Sequence, residues 1–149
     1  MSEQNDPDIA HASAMAGELR VVLGRLSRRL REQAHAGDFT GSQKSVLIRL
    51  ERDGPATVTG LAKAEGVRPQ SMGATVAVLE AAGLVAGAAD PADGRQTILS
   101  LTDACREMIR ASRAAREDWL LRAIRTKFAA DELDQLAASV ELLKRLADA

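Results

Sequence analysis

The sequence is poor in aromatic residues, and this excludes a large class of nucleic-acid binders. Among its 149 residues there are no Tyr, one Trp and two Phe. Proteins that bind single-stranded DNA or RNA stack the bases on aromatic side chains, and this chain has almost none. We therefore do not expect base stacking to be part of its function.

Cysteine and long apolar runs are scarce as well. The single cysteine, Cys105, cannot form an internal disulfide. The first ten residues are polar and acidic, unlike a secretion signal, and no apolar run approaches the roughly 20 residues of a membrane span. We expect a cytoplasmic protein with no membrane attachment. Two roles stay open for Cys105. We favour that of a small core residue, and the alternative is a redox-sensing thiol.

Constellations of catalytic or metal-binding residues are also missing. The histidines at positions 11 and 35 have no carboxylate or cysteine at ligand spacing. There is no glycine-rich phosphate loop, Ser/His/Asp order or pair of carboxylates. We therefore expect no metal, no cofactor and no enzymatic activity.

What the chain does contain is a helix-turn-helix pattern over residues 58–84. Gly66 lies where the bend between two crossing helices requires a positive φ. Pro69 suits the first position of the second helix, which ends at Gly83. The apolar positions follow the helical period on one inward face: Leu61, Ala62, Met72, Val76 and Leu79. This pattern is typical of DNA-binding proteins.

The flanks of this motif add a helix and a hairpin. Residues 40–43, Thr-Gly-Ser-Gln, form a capping box that predicts a helix ending near residues 53–55. After the motif, two short strands at residues 84–88 and 96–101 bracket a cluster of turn formers. Two strands directly after a recognition helix form a wing; the alternative is a hairpin that only closes the domain.

Long amphipathic helices are predicted at both ends. One covers residues 14–36, with leucines spaced 4, 3 and 4 apart. Another begins after Thr102 as N-cap and runs to about Lys127, and the last begins at Asp131. Their apolar stripes exceed what one small domain can bury, which predicts a homodimer interface. For the five arginines of the first helix, a solvated face is favoured and a DNA or partner contact stays open.

The sequence therefore predicts a mainly α fold with a small β-hairpin wing. Residues 1–13 are expected to be a disordered tail. Residues 14–36 and 103–149 form a helical dimerisation region, and residues 37–102 form a winged helix-turn-helix region that binds DNA.

The order of these fragments resembles the multiple-antibiotic-resistance regulator (MarR) family over about residues 15–147. The fragments that carry the resemblance are Phe39-Thr40-x-x-Gln43, Leu47-x-x-Leu50, Leu61-Ala62, Gly66-Val67, Gly83-Leu84-Val85, Asp90-Pro91-x-Asp93-x-Arg95 and Leu101-Thr102. The resemblance implies a dimeric winged-helix transcription factor, usually a repressor, that binds duplex DNA. It also implies that a small aromatic ligand often releases the protein from DNA.

The candidate DNA contacts lie at the start of the second motif helix and in the wing. Gln70 points away from the core and could read adenine in the major groove. Arg68 is the best phosphate partner. By resemblance, Arg95 reaches into the minor groove while Asp93 braces it by a charge-assisted bond. The expected DNA-binding set is Arg68, Gln70, Ser71, Gly73, Ala74, Thr75, Asp93 and Arg95, with Thr57, Thr59 and Lys63 as candidate phosphate contacts.

Each of these sites has a simpler interpretation. The polar residues of the second helix could be ordinary exposed side chains, and Arg95 could belong to a surface ion pair worth about 0–1 kcal/mol. Thr57 or Thr59 could be a helix cap.

The predicted DNA-facing region has no excess of positive charge. Residues 40–101 contain six Lys or Arg and six acidic residues, and the whole chain has a net charge of −1. Family members commonly have a basic residue where this chain has Ala74, Gly87 and Gly94. Two hypotheses follow: a dimeric regulator that binds a pseudo-palindromic duplex site, or a winged-helix dimer with weak or lost DNA binding that acts as a ligand- or protein-interaction module.

Overall fold

The computed structural model describes residues 7–34 and 39–149 of the chain. Helices account for 74% of the described residues, and the remaining regular structure there is a three-stranded antiparallel sheet, so the predicted mainly α class is confirmed. The elements in chain order are α1 (Pro7–Glu32), α2 (Gly41–Asp53), β1 (Ala56–Thr57), α3 (Val58–Glu65), α4 (Pro69–Ala81), β2 (Val85–Ala89), β3 (Thr97–Leu101), α5 (Asp103–Lys127) and α6 (Ala130–Ala147).

The described residues divide into two compact units. Residues 39–112 form the winged unit; residues 7–34 and 113–149 form the helical unit. The boundary within α5 lies ten residues beyond the predicted one at 102/103. The reason is packing: Cys105 is fully buried in the winged unit's core, and Met108 and Ile109 pack against that core. The other predicted boundary, at 36/37, lies outside the described residues, as does His35.

The first helix begins earlier than the sequence predicted. Residues 7–13 were expected to be disordered, but α1 begins at Pro7. Proline needs no helical acceptor at the first position of a helix, and the carboxylate of Asp8 in the first turn interacts favourably with the helix dipole. The helix ends at Glu32 rather than near residue 36. The Gln33 N–H donates to the Leu30 carbonyl and closes the last turn.

The core of the winged unit is formed by one face of each short helix and the inner side of the sheet. All five residues predicted to face inward from the motif are buried. Gly66 adopts φ +67° at the end of α3, and Gly83 adopts φ +74° after α4. Both are left-handed conformations that glycine adopts at little cost. These two glycines fix the bends on either side of α4.

The sheet is the wing, with one added strand. β2 pairs with β3 in antiparallel register from Val85↔Leu101 to Ala89↔Thr97, so the predicted hairpin is confirmed. β1 pairs with the other edge of β3 and was not predicted. It consists of two residues, which is too short for the alternation that identifies a strand in sequence.

The helical unit has little buried surface in the single chain. No residue of α1 or α6, both of them fully described, is buried. Large apolar side chains are exposed on both helices, including Leu23 at 45% and Val140 at 42%. Within this unit the Arg29 guanidinium lies 5.6 Å from the centre of the Trp119 ring, a cation–π contact between α1 and α5.

A helix that crosses a bilayer needs about 20 consecutive, mostly apolar residues. In the part of the chain that the structure describes, no helix is both long enough and apolar enough to cross a bilayer.

Candidate nucleic-acid interface

The first turn of α4 presents unpaired backbone donors. Arg68 is the N-cap and makes no side-chain cap, while its carbonyl accepts from the Met72 N–H at 3.0 Å. The N–H groups of Gln70 and Ser71 come before the first residue with a helical acceptor. A helix start of this kind attracts an anionic oxygen such as a DNA phosphate. The exposed Arg68 side chain adds a positive charge at the same end.

The outward face of α4 is polar only at its start. The helix has no Lys or Arg, and its sequence is PQSMGATVAVLEA. The residues on the face opposite the core are all exposed: Gln70, Ala74, Ala77, Val78 and Ala81. The outward side of α4 is therefore one amide followed by apolar groups.

Three further predicted site residues of α4 differ in accessibility. Ser71 is exposed, while Gly73 and Thr75 are half-buried on the flank of the helix. The Thr75 hydroxyl donates to the Ser71 carbonyl at 3.2 Å. Thr75 is thus less available than Ser71 for a contact with DNA.

Hydrogen bonds within the loop fix the tip of the wing. The Asp90 N–H donates to the Gln96 carbonyl at 2.9 Å, and the Gln96 N–H donates to the Asp93 carbonyl at 3.0 Å. Both carboxylates cap backbone groups two residues ahead: Asp90 accepts from the Ala92 N–H at 2.9 Å, and Asp93 from the Arg95 N–H at 3.1 Å. These Asx turns hold the loop in one shape.

The predicted brace between the Asp93 carboxylate and the Arg95 side chain is not present in the described wing, and it stays a prediction for the DNA complex. The Asp93 carboxylate bonds the backbone N–H of Arg95, and no ion pair joins the two side chains in the described wing. The reason is local: an aspartate two residues before an N–H closes an Asx turn at little entropic cost. Asp93 therefore shapes the turn, and the exposed guanidinium of Arg95 has no ionic partner within residues 39–112.

Two of the six Lys and Arg side chains between residues 40 and 101 form ion pairs within the chain, which makes them less available to contact DNA phosphates. The Arg49 Nε lies 2.8 Å from Glu65 Oε1, and the Arg52 Nε lies 3.0 Å from Asp53 Oδ1. Hydrogen bonds from Arg52 hold the pKa of the Asp53 carboxyl below its usual range. Among the described residues, four cations of this region have no ion pair: Lys44, Lys63, Arg68 and Arg95.

The candidate phosphate contacts lie at the start of α3 and along it. Thr57 is the N-cap of that helix, and its hydroxyl accepts from the Gly60 N–H at 3.0 Å. The cap interpretation of Thr57 is therefore confirmed, although its O–H hydrogen remains able to donate. Thr59 and Lys63 are exposed on the same helix.

Cys105 does not have the environment of a reactive thiol. Its side chain is fully buried in the core of the winged unit. Burial raises the pKa of the thiol, the negative charge of Glu51 raises it further, and Arg106 opposes the two. A raised pKa keeps the thiol protonated and unreactive. This favours the core-residue interpretation over redox sensing.

Two features of the site were not predicted. The Thr102 side chain joins α5 to the end of α4, because its hydroxyl donates to the Gly83 carbonyl at 2.7 Å. A Cβ at Gly87 would lie 2.6 Å from Thr97 Cγ2, too close for any side chain without movement. Both depend on tertiary contacts, and neither has a signal in the sequence.

A helix-turn-helix with an exposed helix start, followed by a hairpin with an exposed arginine, defines a winged helix-turn-helix protein. The sequence profile described as the MarR family matches residues 38–96. An HTH-type transcriptional regulator from Mycobacterium bovis is 36% identical over 134 residues, which cover 90% of this chain and 93% of that protein. The chain belongs to the MarR family, and it is a transcriptional regulator with a DNA-binding winged helix.

Solved structures share the fold. A Pseudomonas aeruginosa protein assigned as a transcriptional regulator is 37% identical and has a TM-score of 0.77, covering 92% of this chain and 96% of that one. A mutant of the Staphylococcus aureus regulator MepR, solved bound to an oligodeoxyribonucleotide, has a TM-score of 0.68 at 20% identity. That alignment covers 89% of this chain and 97% of the MepR chain.

Proposed function

We propose that the chain acts as a homodimeric repressor that binds a pseudo-palindromic duplex site, with one α4 helix entering the major groove of each half-site. The observation that carries this proposal is the chemistry at the start of α4. Two free backbone N–H groups, the Arg68 side chain and the Gln70 amide are exposed together at the end of the helix that enters DNA in this fold.

The wing supplies the second contact. Arg95 projects from a turn that two Asx hydrogen bonds hold in place, and its side chain is exposed. A guanidinium on a preformed turn suits the narrow, electronegative minor groove of A·T-rich DNA. A MepR mutant of similar fold is bound to an oligodeoxyribonucleotide, which supports DNA binding by this chain.

The apolar faces of the helical unit support the homodimer. Leu133, Val140 and Leu143 recur along one face of α6, and each is 37–42% exposed in the single chain. A second copy related by a two-fold axis would remove these faces from water. Sedimentation should give a dimer for the wild type and a monomer for Val140→Glu. The matched variant Ala138→Glu, about 160° around α6 from Val140, should remain dimeric.

Release by a small aromatic effector is the part of the proposal that rests on family membership alone. Ligand binding to the folded state raises its melting temperature as occupancy rises. A panel of aromatic acids should therefore contain a compound that stabilises the protein and also dissociates the DNA complex. A compound that stabilises the protein without changing DNA affinity would contradict control by that ligand.

The second candidate function is a winged-helix dimer that has lost duplex binding and acts as a ligand- or protein-interaction module. The absence of Lys and Arg from α4 favours it. The DNA directly upstream of the chain's own gene separates the two candidates. The regulator should form a discrete complex with that duplex at low salt and not with a shuffled duplex of the same composition. No complex at low salt would contradict the regulator and favour the module.

A further inference from the structure

The outward face of α4 is a stripe of methyl groups behind one amide. Its residues are spaced 4, 3 and 4 apart, as the face of a helix requires: Gln70, Ala74, Ala77 and Ala81. Val78 lies beside them with 53% of its surface exposed. None of these side chains has a hydrogen bond, an ion pair or a place in the hydrophobic core among the described residues.

We infer that this stripe selects thymine bases through their C5 methyl groups, so that each half-site is A·T-rich. The inference rests on the proposed duplex binding and specifies the class of DNA. In the major groove only thymine presents a methyl group, and alanine methyls make apolar contact with it. Gln70 supplies the matching adenine contact, with its amide bidentate to N6 and N7.

The same helix lacks the groups that read G·C pairs. Guanine is read mainly by Arg or Lys at O6 and N7, and α4 contains neither. An acid could accept from cytosine N4, and the one acid of the helix is Glu80. It lies in the last turn, and its Oε1 is 3.6 Å from where a Cβ on Gly87 would be, which places the carboxylate against the wing strand β2. Glu80 is therefore far from the helix start that enters the groove.

Small side chains also bring the helix close to the bases. Gly73 has no side chain on the flank of this face, and nothing lies within 4 Å of the position of an added Cβ. With alanine at 74 and 77, the backbone can approach the floor of the groove at the depth where thymine methyls lie. We expect Ala74 and Ala77 to make the contacts, because the N-terminal residues of a recognition helix meet the base edges.

The test begins by identifying a duplex and then removes single methyl groups from it. The purified full-length chain selects binders from a library of random duplexes, and the enriched duplex is resynthesised. Each thymine is then replaced by deoxyuridine, which removes the C5 methyl and leaves the base-pairing edge unchanged. Loss of one buried methyl should weaken binding about fourfold. Symmetric replacement in both half-sites should weaken it about 16-fold if the positions are additive.

Variants of the protein link the effect to α4. Ala74→Ser replaces the apolar contact by a hydroxyl, so deoxyuridine at the partner position should no longer weaken binding further. Ala111→Ser makes the same change at an exposed position of α5 and should keep the full deoxyuridine effect. Gln70→Ala should relax the preference for adenine without changing the deoxyuridine effect at Ala74.

The outcomes separate this inference from the function on which it rests. An enriched duplex that is A·T-rich and sensitive to deoxyuridine supports both. A duplex that is bound specifically but is G·C-rich in its half-sites, or is indifferent to deoxyuridine, overturns the thymine inference and leaves the regulator function standing. A library from which no duplex is enriched overturns both.

Discussion

The Thr102 hydroxyl donates a 2.7 Å hydrogen bond to the carbonyl oxygen of Gly83, nineteen residues earlier in the chain. The same hydroxyl accepts from the Cys105 N–H at 3.1 Å, and the Thr102 N–H donates to the Leu84 carbonyl at 3.0 Å. One residue thus caps α5, closes the base of the wing and holds the turn that ends the recognition helix.

Removing this hydroxyl should destabilise the winged unit. Thr102→Val keeps the shape of the side chain but loses the cap and leaves the Gly83 carbonyl without its donor. We expect a loss of about 1–2 kcal/mol in the free energy of unfolding, measured with urea. Thr102→Ser keeps the hydroxyl and should lose less than half as much. Equal losses for the two variants would show that the hydrogen bonds do not matter.

Two glycines of the motif should respond in opposite directions to the same substitution. Gly66 has φ +67°, so Gly66→Ala should cost about 1–2 kcal/mol through backbone strain alone, since an added Cβ meets nothing within 4 Å. Gly73 lies inside α4 with space for a Cβ, so Gly73→Ala should stabilise by about 0.5–1 kcal/mol. Urea unfolding measures both. The same sign for both variants would contradict the conformational argument.

A basic residue restored to the wing tip should strengthen DNA binding. Gly94 does not have a positive φ, and a Cβ there meets nothing within 4 Å, so Gly94→Arg is free of strain. One added phosphate contact should steepen the dependence of log K on log salt by about 0.9. Gly87→Arg adds the same charge but must displace Thr97, so it should unfold more easily than Gly94→Arg. An unchanged slope for Gly94→Arg would show that the wing tip does not approach DNA.

The Cys105 thiol should be unreactive in the folded protein. Burial raises its pKa, so alkylation by iodoacetamide at neutral pH should be much slower in buffer than in urea. Because folding raises the pKa of the thiol, Cys105 makes its full contribution to the free energy of unfolding at pH values below the unfolded pKa of about 8.5. That contribution falls as the pH rises above this value. Cys105→Ala should remove that part of the alkaline loss. Fast alkylation of the native protein would revive the redox hypothesis.

Local signals in the sequence were sufficient for most of the fold. The capping box at Thr40 is present. The Gln43 N–H donates to the Thr40 hydroxyl at 3.2 Å, and the Thr40 N–H donates to the Gln43 side-chain Oε1 at 3.0 Å. The glycine at position 66 has the positive φ that the turn required. These features depend on residues within a few positions of one another, so a pattern in the chain identifies them.

The features that were missed depend on long-range contacts or on competition between local ones. β1 exists because Ala56 and Thr57 reach the free edge of β3, more than forty residues away. Asp93 could bond either the guanidinium or the backbone of Arg95, and the sequence does not show which is favoured. The DNA contacts themselves remain predictions, because they require a partner that neither the sequence nor the single chain contains.

The central claim, that the winged unit binds duplex DNA through charged contacts including Arg95, is tested most directly by salt dependence. The affinity for the upstream duplex should be measured against salt for the wild type, Arg95→Ala and the matched control Arg52→Ala, whose arginine is paired with Asp53. We predict that log K falls linearly with log salt, that Arg95→Ala binds more weakly with a slope shallower by about 0.9, and that Arg52→Ala matches the wild type. No binding at low salt, or identical slopes for the wild type and Arg95→Ala, would contradict the claim.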